Sequence, residues 1–189
     1  MDYTADIREY IQKEINTLQN LDVGALNAAI GAIVEAWSKD ATIYTMGNGG
    51  SAATASHMVC DFNKGVSSEV ERKFRFQCLN DNTPLVMAIA NDISYDEVFS
   101  YQLKDVLEKN DLIIAISGSG NSKNIVKAVE YAREVGAKVI GITGYSGGKL
   151  MDMADYKMHV AVDDMQIAED LHMVFDHMMM RVLCNNLKK

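Results

Sequence analysis

Two short runs of glycine and serine have the composition of phosphate-binding loops. The run GNGGS covers residues 47–51 and the run SGSGNS covers residues 117–122. Each follows a predicted buried strand and precedes a predicted helix, so its glycines and the helix amides could approach a phosphate, while serine adds uncharged donors. Each run alone could instead be a tight turn with an N-cap serine. Because both stand at carboxyl ends of strands, together they predict a site for a phosphorylated ligand.

The first run also fits a loose dinucleotide-binding pattern. Gly47-x-Gly49-x-x-Ala52 matches Gly-x-Gly-x-x-Ala, which is a weak signal by itself. The acidic residues near the required offset, Glu69 and Glu71, fall in a polar segment and not at a strand end. Neither run ends in the Gly-Lys-Ser/Thr of a Walker A loop. We therefore expect no nicotinamide cofactor.

Two predicted helices carry ionisable side chains at spacings suited to acid–base or metal chemistry. His57 and Asp61 are four residues apart and share a helix face. On the last helix, Glu169 and His177 are eight residues apart, about 80° around the axis, whereas His172 points elsewhere. If the two pairs converge, they form a nitrogen–oxygen metal site or an acid–base pair. The alternative is a set of exposed helix side chains, or a core histidine satisfied by a carboxylate.

Strands and helices alternate along most of the chain. Strands are predicted at 42–46, 74–79, 112–116, 138–143 and 157–162, and helices at 3–20, 22–38, 51–62, 84–90, 94–108, 123–135, 150–154 and 165–187. This alternation predicts an α/β fold with a doubly wound parallel sheet. The polar segment 63–72 is interpreted as a mobile loop near the site. His159 alternates with apolar residues on the last strand and is interpreted as structural.

The chain length of 189 residues favours one domain, 1–189, with N-terminal helices over 1–38 and an α/β core with a C-terminal helix over 39–189. The leading helices have an apolar face with Ile7, Ile11 and Ile15, which a partner subunit could cover.

Composition excludes several classes of partner. The formal net charge of -8 disfavours nucleic acid and anionic membranes. Apolar runs fall far short of the ~20 residues that span a bilayer, and the first residues lack a signal-peptide pattern. The three cysteines form no CxxC pair. We therefore expect reduced thiols in a cytoplasmic protein.

At several stretches along its whole length, the sequence resembles the SIS (sugar isomerase) domain family, in the branch of the phosphoheptose isomerases. The stretches are Met46–His57, Asn91–Asp92 with Tyr95–Phe99, Ser117–Ser122, Ile140–Gly144 with Gly147–Leu150, and Ala168–His172 with His177. The resemblance implies a three-layer αβα sandwich around a five-stranded parallel sheet, usually assembled as a homotetramer. It also implies no nucleotide cofactor.

The resemblance further implies aldose–ketose isomerisation of a sugar phosphate, with sedoheptulose 7-phosphate converted to D-glycero-D-manno-heptose 7-phosphate as the leading reaction. In such enzymes, positions that match Asp61 and His177 move a proton between C1 and C2. Zinc binds at positions that match His57, Asp61, Glu169 and His177. Substrate contacts fall on positions that match Asn48, Gly49, Gly50, Ser51, Asp61, Asn91, Asp92, Ser117, Gly118, Ser119, Ser122 and Glu169.

Three residues depart from the family pattern. Asp61 stands where glutamate is usual, Glu169 where glutamine is usual, and Gly65 where arginine is frequent. The shorter Asp61 moves a base by about 1 Å, a displacement that can slow a reaction about 10²-fold. Glu169 adds a negative charge, which favours a metal ion or raises a neighbouring carboxyl pKa. The alternative function is a non-catalytic SIS module that binds a sugar phosphate or a protein partner.

Overall fold

The computed structural model describes residues 1–187, which form an open parallel sheet with helices on both faces. The α-helices are α1 (Thr4–Gln19), α2 (Val23–Ser38), α3 (Gly50–Cys60), α4 (Thr83–Asp92), α5 (Ser100–Leu103), α6 (Lys123–Val135), α7 (Gly148–Met153) and α8 (Met165–Asn186). The strands are β1 (Ile43–Met46), β2 (Phe76–Cys78), β3 (Leu112–Ser117), β4 (Lys138–Thr143) and β5 (Tyr156–His159).

The strand order is β2-β1-β3-β4-β5, and every neighbouring pair is parallel. The chain builds outward in one direction from β1 to β2 and in the other from β3 to β5. The order therefore reverses between β1 and β3, which is the topological switch point where α/β sheets open a crevice for ligands. Both glycine–serine runs follow these two strands.

Two apolar cores, one on each face of the sheet, make the molecule a three-layer sandwich. Along β3, Ile114 and Ile116 face the core formed with α2, α3 and α8. Ile113 and Ala115 between them face the core formed with α4, α5, α6 and α7. This two-sided burial explains the continuous apolar sequence of the strand. The predicted α/β class and αβα architecture are confirmed.

The two leading helices differ in how they pack. Helix α2 buries Leu26 and Ile33 against the sheet, so it is part of the core. Helix α1 buries no side chain within residues 1–187, and Ile7, Ile11 and Ile15 are 58%, 49% and 41% exposed. None of the helices described here combines the length and the apolar character needed to cross a membrane.

The segment predicted as a loop over 63–72 is helical as far as Ser68. A π-helical turn (Asp61–Gly65) and a 3₁₀ turn (Val66–Ser68) extend α3. Phe62 and Val66 are fully buried at helical spacing, and the hydroxyl of Ser67 donates to the carbonyl of Phe62 over 2.7 Å. Burial of these apolar side chains thus continues the helix through a polar sequence.

The other differences concern element boundaries. The helix predicted over 94–108 contains only a 3₁₀ turn, Tyr95–Glu97, and the short α5. It ends because Lys104 is extended and Asp105 has a φ of 59°, a left-handed conformation that breaks a helix. The strands β2 and β5 are also shorter than predicted.

Candidate active site

The first loop, residues 47–51, is held at its start by Asn80. The side-chain oxygen of Asn80 accepts from the amide of Gly47 over 3.2 Å, and its nitrogen donates to the carbonyl of Gly47 over 2.9 Å. Gly49 then turns the chain with a φ of 55°, a conformation that favours glycine. These contacts direct the loop from β1 into α3.

Asn48 joins this loop to the helix after the second loop. Its side-chain amide donates to the oxygen of Asn124 over 2.9 Å, and the amide of Asn124 donates back over 2.8 Å. The hydroxyl of Tyr95 also donates to the Asn48 oxygen over 2.8 Å. The predicted substrate-binding Asn48 therefore also has a structural role. Sequence reasoning did not single out Asn80 or Asn124, because their roles depend on tertiary contacts that show no local pattern.

The second loop, residues 117–122, closes on itself and on the loop after β4. The hydroxyls of Ser117 and Ser122 are 3.3 Å apart, and the Gly120 amide donates to the Ser117 carbonyl over 3.0 Å. Gly120 has a φ of 65°, and a β-carbon there would collide with the carbonyl of Gly147. Only glycine fits this close backbone approach.

The helices after the two loops begin without a side-chain cap. Asp22, Asn82 and Asp164 cap α2, α4 and α8 by accepting from first-turn amides. By contrast, within the described chain neither Gly49 nor Ser122 makes such a bond at the start of α3 or α6. The interpretation of Ser122 as a simple N-cap serine is thus not supported. In α6 the Ile125 amide donates to Oδ1 of Asn124 over 2.9 Å, and no N-cap side chain competes with an anion for the other first-turn amides.

Four ionisable side chains from α3, its π-helical extension and α8 converge at one point. The Nε2 atoms of His57 and His177 are 3.2 Å apart. Oδ2 of Asp61 lies 3.7 Å from Nε2 of His57 and 3.9 Å from Nε2 of His177, and Oδ2 of Asp176 lies 4.0 Å from Nε2 of His57. All four atoms lie within 4.8 Å of one another. We call these four residues the His/Asp cluster.

The His/Asp cluster is buried at one end and open at the other. Asp176 is 0% exposed, and within residues 1–187 neither of its carboxylate oxygens has a hydrogen-bond partner. Burial raises the pKa of Asp176 to about 7, and the charge of Asp61 adds to the increase. The side chains of His57 and His177 remain 43% and 58% exposed. A ligand could therefore reach the cluster from the histidine side.

The His/Asp cluster has the donor set of a divalent metal site. Two neutral imidazoles and two carboxylates carry a combined charge of about −2, which balances a divalent cation. Zinc–nitrogen bonds of about 2.0–2.1 Å in a tetrahedron imply a separation of about 3.3–3.4 Å between ligand atoms. The observed 3.2 Å between the two histidine nitrogens is close to this value. The residues therefore fit such an ion.

Glu169 is not a member of the His/Asp cluster, although His57, Asp61 and His177 are. Its carboxylate lies where a side chain on Gly50 would collide with it, beside the first loop. Glu169 and His177 lie on one side of α8, but their eight-residue separation places them about 12 Å apart along the axis. Asp176, next to His177, lies in the cluster instead, and the metal-binding role of Glu169 stays a prediction. An acidic residue within the apolar sequence VFDHMMM was the signal that could have identified Asp176.

The remaining predicted residues lie around the loops. Asn91 and Asp92 end α4, are exposed and share a hydrogen bond of 2.8 Å, whereas Ser51 is buried in α3. His159 contacts the hydroxyl of Thr143 at 2.9 Å, and burial lowers its pKa, in agreement with a structural role.

The start of α8 packs beside both loops, since Glu169 lies against Gly50 and Met165 against Gly118. Helix α8 thus connects the loops with the His/Asp cluster.

Comparisons with known proteins agree with this geometry. A family model described as SIS domain matches residues 2–144. A phosphoheptose isomerase from Aliarcobacter butzleri (strain RM4018) is 36% identical over 180 residues, which cover 95% of this chain and 93% of that protein. One from Helicobacter pylori (strain HPAG1) is 34% identical over 183 residues, which cover 96% and 90%.

Solved structures extend the likeness to three dimensions. Phosphoheptose isomerase GmhA from Neisseria gonorrhoeae superposes with a TM-score of 0.88 at 27% identity, covering 96% of this chain and 98% of that chain. A phosphoheptose isomerase from Francisella tularensis superposes with a TM-score of 0.88 at 26% identity, covering 98% and 100%. The chain therefore belongs to the SIS domain family, in the branch of the phosphoheptose isomerases, and is a sugar-phosphate isomerase.

Proposed function

We propose that the enzyme converts sedoheptulose 7-phosphate to D-glycero-D-manno-heptose 7-phosphate. The names of the relatives from A. butzleri and H. pylori support a seven-carbon substrate. The single observation that carries the proposal is the His/Asp cluster, which gathers a base, two imidazoles and a buried acid where the end of α3 meets α8, the helix that also borders both loops.

In this proposal the phosphate is held by the second loop. The hydroxyls of Ser117, Ser119 and Ser122 and the first-turn amides of α6 donate to its oxygens, and the partial positive charge of the helix N-terminus favours its negative charge. The first loop contacts the sugar through Asn48, Gly49, Gly50 and Ser51. The sugar hydroxyls are also contacted by Asn91, Asp92 and Glu169. Binding energy at the distant phosphate then orients C1 and C2 for proton transfer.

Asp61 and His177 carry out the proton transfer. The carboxylate of Asp61 removes the proton next to the carbonyl and returns it to the neighbouring carbon, while His177 exchanges a proton with the enediol oxygens. Asp61 directs Oδ2 towards the two imidazoles. General acid–base catalysis of this kind accelerates a reaction by about 10²–10⁴-fold.

The cluster is also the proposed site for zinc, held by His57, Asp61, His177 and a further acid. Zinc, when bound, would polarise the substrate carbonyl as a Lewis acid. One nitrogen of His177 cannot hold a proton and a metal ion at the same time. Activity with zinc and activity with chelator therefore distinguish the two roles of His177.

The proposal also includes a homo-oligomer, a tetramer, that works in the cytoplasm without a nucleotide cofactor. The uncovered apolar face of α1 supports the oligomer. The acidic net charge of -8 agrees with a small-molecule substrate in place of nucleic acid or membrane.

The substrate is tested with a panel of five-, six- and seven-carbon ketose phosphates, each assayed for aldose formation with zinc and with chelator. We expect turnover of sedoheptulose 7-phosphate and little turnover of the shorter sugars. The variant Asp61→Asn should be inactive, while Asp152→Asn, the same change at an exposed aspartate on α7, should retain activity. Faster turnover of a shorter sugar phosphate would show that the proposed substrate is wrong. Binding of a sugar phosphate without any turnover would support the non-catalytic module.

A further inference from the structure

We infer that Asp176, and not Glu169, supplies the fourth ligand of the metal centre, so that the donor set is His57, Asp61, Asp176 and His177. This inference rests on the proposed metal centre and goes beyond it by assigning a ligand and by giving Glu169 a separate role at the sugar.

Asp176 lies on the side of His57 that faces the other members of the cluster. A carboxylate that only orients a metal-binding histidine accepts from the ring nitrogen that faces away from the metal. Asp176 instead approaches Nε2 of His57, over 4.0 Å, and the same nitrogen faces His177 at 3.2 Å and Asp61 at 3.7 Å. All four groups therefore surround one point, as ligands of the same ion do.

Asp176 is also fully buried. A carboxylate without exposed surface and without hydrogen-bond partners is costly unless a proton or a cation compensates it. Asp176 is 0% exposed, and both oxygens lack partners within residues 1–187. Within residues 1–187, the ionisable groups beside it in the cluster are the imidazoles of His57 and His177 and the carboxylate of Asp61, none of which is a permanent cation. A divalent ion would compensate both carboxylates at once.

Glu169 lies outside this group of ligand atoms. Two carboxylates balance a divalent cation, whereas a third would leave the centre with a negative charge. The carboxylate of Glu169 borders Gly50 in the first loop and is not among the four ligand atoms that lie within 4.8 Å of one another. From there it can accept hydrogen bonds from sugar hydroxyls.

The test compares Asp176→Asn with Glu169→Ala on the same helix. Alanine is used at position 169 because glutamine, the usual family residue there, could itself bind the metal. Metal-stripped proteins are titrated with zinc in competition with a chromophoric chelator, and with cobalt(II), whose absorption reports tetrahedral coordination. Replacing a residue outside the coordination sphere can already cost about 10–100-fold in metal affinity, so Asp176→Asn should lose about 100-fold or more. Glu169→Ala should lose less than about threefold, since the charge of Glu169 acts on the ion only through screened, long-range interaction.

Thermal unfolding of both metal-free variants guards against a trivial loss of fold. A neutral amide at position 176 removes a buried charge, so metal-free Asp176→Asn should unfold at the same temperature as the wild type or higher. The inference is overturned if zinc affinity falls only in Glu169→Ala, if it falls equally in both variants, or if it falls in neither. These measurements use no sugar, so their outcome is independent of the substrate assay.

Discussion

At the scale of single residues, the second loop depends on a position that only glycine can occupy. Gly120 combines a φ of 65° with a β-carbon position blocked by the carbonyl of Gly147. Its own carbonyl accepts from the amide of Leu150 over 2.9 Å, so the backbone cannot move away without breaking a bond to α7. The shape of the proposed phosphate loop therefore depends on this residue.

Gly120→Ala should lower the free energy of unfolding by about 2–4 kcal/mol, because a left-handed conformation and an overpacked contact both add cost. Gly31→Ala is the matched control. Gly31 lies in α2 with nothing within 4 Å of its β-carbon position, and alanine should stabilise the helix by up to about 1 kcal/mol. Urea unfolding measures both changes. Equal stabilities for the two variants would contradict the described loop.

Sequence reasoning predicted the site residues as far as local spacing determines them. His57 and Asp61 are four residues apart on one turn of helix, and they do meet. Glu169 shares a side of α8 with His177, but its carboxylate borders Gly50 in the first loop, a position that depends on how α8 packs. Asp176 was not selected because its proximity to His57 depends on how α8 packs on α3, which no spacing within one helix can reveal.

At the scale of elements, α1 is the one α-helix within residues 1–187 that buries no side chain. Polar contacts attach it to α8: the hydroxyl of Tyr10 donates to Asp170, and Lys13 pairs with Asp164 at 2.5 Å. Its isoleucines face outward. Full burial of such a side chain stabilises an assembly by about 1.5–3 kcal/mol. A second copy of the chain could cover this face in the proposed oligomer.

Ile11→Asp should therefore shift the protein towards smaller species, since a charge would be buried at the subunit contact. Light scattering after size-exclusion chromatography measures the mass. Glu9→Lys is the control, because Glu9 is two residues from Ile11, about 160° around the helix. An unchanged mass for Ile11→Asp, or an equal loss in both variants, would show that this face does not form the contact.

The segment after Asp61 shows why element boundaries were harder to predict than elements. Its polar composition favoured a loop, whereas the burial of Phe62 and Val66 continues the helix through a π turn. Such turns are frequent at functional sites. Composition cannot detect a helix that is stabilised by two deeply buried side chains.

At the scale of the whole molecule, the sequence was enough to predict the layers and the parallel sheet. Apolar strands such as Leu112–Ile116 and the glycines that end them alternate with helices, and that pattern permits few architectures. The strand order could not be derived from the residues, because it depends on which crossovers pack together. The order places β1 beside β3, and this adjacency brings the two loops to one crevice.

Stability should decrease at acid pH because of His172. This residue is 1% exposed on α8, and burial lowers its pKa to about 4, with a smaller contribution from the charge of His159. The unfolded chain, with a pKa of about 6.5, takes up a proton as the pH falls, while the native state does not until about pH 4. The native state therefore loses stability as the pH falls from about 6.5 to about 4.

The expected loss from this one group between pH 7.5 and pH 5 is about 2 kcal/mol. Urea unfolding at the two pH values measures it, and His172→Leu isolates it, since every other titrating group is retained. Between the two pH values, the free energy of unfolding of the variant should fall by about 2 kcal/mol less than that of the wild type. The same pH dependence in both proteins would show that His172 does not titrate between these states.

The central claim is that the His/Asp cluster moves a proton between C1 and C2 of a sugar phosphate. The most direct measurement is NMR of sedoheptulose 7-phosphate with the enzyme in D₂O, which follows deuterium entering at these carbons. We predict exchange with the wild type and a rate about 10²–10⁴-fold lower in Asp61→Asn and in His177→Ala. A folded protein that exchanges no deuterium into any sugar phosphate, or variants that exchange as fast as the wild type, would contradict the account.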